Sequence, residues 1–133
     1  MTIRRLIGIL AYPNVQGLDI VGPADVFTSA RLSEGAKNPP PYEVVLIGFS
    51  SRPVVSESGI VFQPKYSIRN SPRLDTLIIP GGCGLRIQPK LQAGVADWVR
   101  SQARQTRRIA GWLNRYIEHL RLLAPDFNPV AAR

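Results

Sequence analysis

Short unbroken apolar runs, each closed by glycine or proline, punctuate the first two thirds of the chain. The segment from Ile3 to Tyr12 contains Leu6-Ile-Gly-Ile-Leu10. A continuous run of this kind predicts a parallel strand buried on both faces, because a strand open to water on one side alternates polar with apolar. Pro13 to Gly17 reads as a turn. Gly22-Pro23 then reads as the opening of a helix through about Leu32, since proline at a first-turn position loses no helical hydrogen bond. Val26, Phe27 and Ala30 give this helix an apolar face. Ser33 to Pro41 is a loop, where Gly35, Asn38 and Pro39-Pro40-Pro41 exclude regular structure.

Tyr42 to Phe49 predicts a second buried strand. Ser50 to Pro64 carries two short β pieces around Ser56-Glu57-Ser58-Gly59, a hairpin-like excursion. Leu74 to Pro80 predicts a further parallel strand, and Pro89 to Gln105 a helix with Leu91, Val95, Trp98 and Val99 on one face. Arg108 to Ala110 is a short strand. Trp112 to Leu123 predicts an amphipathic helix whose stripe is Trp112, Leu113, Tyr116, Ile117, Leu120 and Leu123, with Asn114, Arg115, Glu118 and Arg121 facing out and Pro125 as its stop. Strands alternating with helices imply an α/β fold with a parallel sheet covered by helices. Such sheets bind ligands at the carboxyl ends of their strands. Two loops leave those ends, Tyr12–Gly22 and Pro80–Gly84.

The length of 133 residues suits one domain with a real but modest core. No apolar run reaches the roughly 20 residues that span a bilayer, and the start reads as a strand rather than a signal peptide. A single cysteine excludes an internal disulfide and fits a reducing cytoplasm. The net charge of +8 adds a class, a basic nucleic-acid-binding module, because a strongly positive field draws polyanions. Many of the cations lie between Arg100 and Arg121, without the aromatic interleaving, zinc spacing or helix-turn-helix pattern of base readers. A solvated arginine-rich helix face accounts for them more simply.

Four residues at the two loops could touch a ligand: Asp19, Gly81, Gly82 and Cys83. Asp19 precedes a helix at the ligand edge of the sheet, where a carboxylate serves either as a general acid or base or as a loop brace. Asp25, read as a first-turn residue, takes the dipole-stabilising role. Gly81 and Gly82 can present backbone amides to a developing negative charge, or simply make a tight turn. Cys83 is the only thiol, yet a nucleophilic cysteine needs a base within hydrogen-bond reach. Nothing in the spacing brings the only histidine, His119, to it. There is no metal-ligand spacing and no cofactor motif.

The series "ILAYPNVQGLDIVGPADVF … YEVVLIGF … VVSESGIVF … LDTLIIPGGCG … VADWVRSQARQTRRIAG" resembles the ThiJ/PfpI branch of the class I glutamine-amidotransferase-like superfamily over residues 3–110. That branch includes isonitrile hydratases, PfpI-type proteases, chaperones and the amino-terminal sensor domains of AraC-type transcription regulators. The resemblance implies a flavodoxin-like three-layer sandwich, usually a homodimer. It also implies an acid at Asp19, facing a cysteine on a strand-to-helix elbow, and an oxyanion pocket helped by Gly81 and Gly82. The elbow follows the strand matching 107–110 and reads approximately Val-Cys-Thr-Gly. Here Gly111-Trp112-Leu113-Asn114 stands in its place.

"WLNRYIEHLRLLAPDFNPVAAR" resembles a helix found later in the family. The expected organisation is therefore an incomplete domain, with 1–111 as its amino-terminal part, 112–124 as an amphipathic helix from later in the same domain, and 125–133 as a loose tail. The sheet is incomplete on its carboxyl-terminal side, rescued by the 112–123 helix covering it or by dimerisation. The expected function is a non-catalytic remnant of a sensor domain for an unidentified small molecule, meeting DNA only through a missing domain. The alternatives are an isonitrile hydratase-like lyase or cysteine hydrolase using Asp19 and Cys83, and the basic nucleic-acid module.

Overall fold

Seven residues of the first apolar run, Arg5–Ala11, form the central strand β1. The computed structural model describes residues 3–30 and 39–111. Helix α1 (Leu18–Ser29) follows β1, and β2 (Tyr42–Gly48) returns beside it. The excursion is a two-stranded antiparallel hairpin, β3 (Val54–Val55) with β4 (Val61–Phe62). Next come β5 (Tyr66–Ser67), β6 (Thr76–Ile79), the short helix α2 (Gly84–Ile87), α3 (Pro89–Gln102) and β7 (Arg108–Gly111).

Five strands form one parallel sheet in the order β5-β2-β1-β6-β7. The chain builds outward from β1 to one side through β2 and β5, then crosses back and builds to the other through β6 and β7. The order reverses between β1 and β6, which are in register from Ile7↔Thr76 to Ile9↔Ile78. This is the crevice where open α/β sheets receive ligands. The continuous apolar runs are explained by their place: Ile7, Ile9 and Leu10 of β1, Ile47 of β2 and Leu77 of β6 have no solvent exposure. Val95, Trp98 and Val99 of α3 are buried, as their spacing predicts.

The first helix departs from the sequence reading. It starts at Leu18, not at Gly22-Pro23, and Pro23 lies inside it. An interior proline removes one helical hydrogen bond and crowds the preceding turn, and the helix tolerates this within its second turn. The first-turn acid is therefore Asp19, not Asp25, which is exposed further along. The sequence reading also lacked β5 and α2, and it ran α3 on to Gln105, three residues past its end at Gln102. The 112–124 and 125–133 segments, and most of the Ser33–Pro41 loop, lie outside the described residues.

At the amino edge of the sheet, Asp75 ties β6 to β7. Arg107 donates from Nε to Oδ1 at 2.8 Å and from Nη2 to Oδ2 at 2.9 Å, a two-pronged pair. Thr76 Oγ1 also donates to Oδ2, at 2.9 Å. The Arg107 hydrogen bonds hold the Asp75 carboxyl below the usual carboxylate range, against the opposing effect of partial burial. A carboxyl that titrates lower folded than unfolded stabilises the fold above the unfolded value, about 3.9, and loses that contribution as pH falls through the lower folded value. Asp75→Asn is expected to cost about 1 kcal/mol at pH 7. Urea midpoints of the two proteins should differ at pH 7 and converge in acid. A gap that persists undiminished in acid would contradict the pairing.

Candidate functional site

The glycine turn Pro80–Gly84 leaves the carboxyl end of β6, beside the 12–17 loop that leaves β1. Backbone contacts stitch these loops together. Tyr12, fully buried, donates its hydroxyl to the Pro80 carbonyl at 2.7 Å. Val15 bridges Gly82 in antiparallel fashion, and the Gln16 amide donates to the Gly81 carbonyl at 2.8 Å. On its other side the same stretch binds the β3–β4 hairpin. Asn14 donates its amide to the Val55 carbonyl, and Val15 accepts the Glu57 amide, both at 2.9 Å. Residues 14–16 thus act as a middle strand between the glycine turn and the hairpin.

The approach is close enough to dictate residue type. Gly82 has φ +146°, and a Cβ there would lie 2.5 Å from the Asn14 carbonyl oxygen and 2.8 Å from the Gln16 nitrogen. A Cβ on Gly84 would run into the Pro13 carbonyl oxygen. Asn14 takes a left-handed conformation at φ 60°, which asparagine adopts more readily than most residues.

Two carboxylates close the turn from opposite sides. Asp19, partly buried in the first turn of α1, accepts the Gly81 amide on Oδ2 at 2.9 Å. Glu57, from the hairpin, accepts the Cys83 amide on Oε1 at 2.6 Å. Of the four sequence-predicted residues, the structure joins Asp19 to Gly81 directly and places Gly82 in the backbone bridge. It pairs Cys83 with Glu57 rather than with Asp19. His119 lies outside the described residues. Among the described residues no group of three or more His, Cys, Asp or Glu could hold a metal ion.

The Cys83 thiol is pushed up from its ordinary value, first by its hydrogen bond to Glu57, then by desolvation and by the charge of Glu57, with Arg86 opposing. The thiolate is the reactive form. Glu57 is near enough to act as a base, but an ordinary glutamate is roughly 4 pH units more acidic than a thiol, so the proton stays on sulfur. Glu57 is the site residue that sequence reasoning missed. Its only signal was an acid at a hairpin tip, and the sequence did not reveal that this hairpin folds over the glycine turn.

A groove of about 650 Å³ opens from the same site along the sheet. It is walled by α1, including Leu18, Asp19 and Val26, and floored by β6 and β7, including Ile78 and Ala110.

The chain belongs to the DJ-1/PfpI family, whose sequence profile matches residues 5–111. It is 35% identical over 102 residues to an isonitrile hydratase of Pseudomonas putida, a match covering 76% of this chain and 40% of that protein. The chain thus spans well under half the length of that curated relative. Among solved structures, a ThiJ/PfpI family protein from Pseudomonas syringae superposes with a TM-score of 0.68 at 23% identity, over 83% of this chain and 42% of the other. Drosophila melanogaster DJ-1beta superposes with a TM-score of 0.64 at 20% identity, over 82% of this chain and 55% of the other. These structural likenesses carry the α/β flavodoxin-like fold.

Two outcomes follow from the geometry. Glu57→Gln removes the chief cause of the raised thiol pKa, so iodoacetamide should label Cys83 faster at neutral pH and its rate profile should move to lower pH. An unchanged profile contradicts the pairing. Gly82→Ala should cost about 1–3 kcal/mol, from a strained φ together with overpacking against residues 14–16, read as a lower denaturant midpoint.

Proposed function

We propose that this chain is a non-catalytic, ligand-sensing DJ-1/PfpI-type domain, of the kind that forms the amino-terminal half of AraC-type transcription regulators. One observation carries the reading: the groups that chemistry at the glycine turn requires are already engaged with one another. The Gly81 amide, an oxyanion donor if it were free, is taken by Asp19. The chain's only thiol is kept protonated beside Glu57. The strand next to the turn, β7, ends at Gly111 and is followed by Trp112, so no thiol comes from that side. An oxyanion site works through donors held ready for charge that develops in the transition state, and a donor bound to a fixed carboxylate is not ready. In this reading DNA is contacted through a separate domain, and the sensor works in the cytoplasm, where the DNA is.

A second reading, an isonitrile-hydrating enzyme, is favoured by the 35% identity to the Pseudomonas putida protein. The two diverge in one assay. The purified chain, given an aliphatic isonitrile, is expected to yield N-substituted formamide no faster than buffer does. Asp19→Ala is expected to lower stability by about 1–2 kcal/mol, through the hydrogen bond to Gly81, with no activity to lose. Formamide production that disappears in both Cys83→Ser and Asp19→Asn would replace the sensor with the enzyme.

A further inference from the structure

The groove beside α1 has an apolar wall that nothing among the described residues covers. Leu18 and Val26 are 73% and 69% exposed on this helix, whose only fully buried residue is Ile20. The floor is one face of the sheet, because Thr76 and Ile78 alternate along β6, and Arg108 and Ala110 along β7. The intervening Leu77 and Ile109 point to the opposite face and are buried. One side of β6–β7 is therefore packed, while the other is open.

We propose that residues 112–123 of this same chain form a helix that lies in this groove and packs its apolar stripe on α1, β6 and β7. Four observations select this occupant. Gly111 both ends β7 and lines the groove, so the next residue enters at its end without a linker. The sequence from Trp112 to Leu123 repeats apolar residues at helical spacing: Trp112, Leu113, Tyr116, Ile117, Leu120 and Leu123. A 12-residue helix is about 18 Å long, enough to run back over the roughly 13 Å of a four-residue strand. Such a helix starts at the carboxyl edge of the sheet and ends at the amino edge, where Arg107 and Arg108 line the groove. The negative end of a helix dipole is favoured beside cations there.

The docked segment also roofs Asp19, which lines the same groove, and so closes the site on the α1 side. A small ligand in an unroofed trough would leave most of its own surface wet, whereas small-molecule sites enclose theirs. Any ligand of the glycine turn must then arrive from the hairpin side, past Glu57. The assignment is independent of whether the site is catalytic.

The test uses the full chain in a Cys83→Ser background. The thiol introduced by Val26→Cys should alkylate at least roughly tenfold more slowly than the same thiol in urea-unfolded protein. Ile117→Asp with Leu120→Asp should restore the fast rate, while the outward Arg115→Ala should not. The pair Val26→Cys with Ile117→Cys, bridged by a short bifunctional maleimide, should give an internally linked monomer at every protein concentration. This linkage needs no stripe variant to fold. Labelling at the unfolded rate in the unaltered segment overturns the proposal. So does linkage found only between chains and rising with concentration, which would make a second copy the occupant.

Discussion

The glycine turn can exist only because residues 14–16 lie against it backbone to backbone. That contact requires two positions without side chains. Gly82 faces Asn14, Val15 and Gln16 within 3 Å of where a Cβ would sit, and Gly84 abuts the Pro13 carbonyl. The same three residues hold the β3–β4 hairpin on their far side through Val55 and Glu57. One close approach thus positions the carboxyl end of β6, the start of α1 and the hairpin tip together. Asp19 and Glu57 reach the turn as a consequence, one from each flank.

This arrangement decides what the site can do. The family scaffold offers a crevice at the reversal of strand order and a turn rich in backbone donors. In this chain those donors are satisfied internally. A carboxylate bound to a backbone amide lowers the free energy of the closed turn, and it withdraws both partners from chemistry on a ligand. The fold alone does not distinguish sensing from catalysis; the distinction lies in which partners these few polar groups already have.

Much of this was legible in the sequence, for physical reasons. β1, β2 and β6 announce themselves because strands buried on both faces cannot alternate. The hairpin is marked by Ser-Glu-Ser-Gly between two apolar pairs, and α3 by its stripe of Leu91, Val95, Trp98 and Val99. The start of α1 was misjudged because Gly22-Pro23 carries the usual signal of a helix opening, while the true start at Leu18 has no side-chain cap to mark it. α2 and β5 are too short, at four and two residues, for any period to show. The Asp19–Gly81 contact joins residues 62 apart in sequence, and Glu57–Cys83 residues 26 apart. Spacing placed Asp19 at the right edge of the sheet but could not say which amide it would take, and it offered no route to Glu57.

The account rests on the Asp19 carboxylate holding the Gly81 amide, and nuclear magnetic resonance reads that bond directly. In a pH titration of the full chain, the Gly81 amide proton should sit downfield at neutral pH and move upfield in acid. It should follow the same curve as the side-chain carboxyl carbon of Asp19. A Gly81 amide proton that ignores the titration of Asp19 would mean the donor is free, and the site would have to be read as open for chemistry.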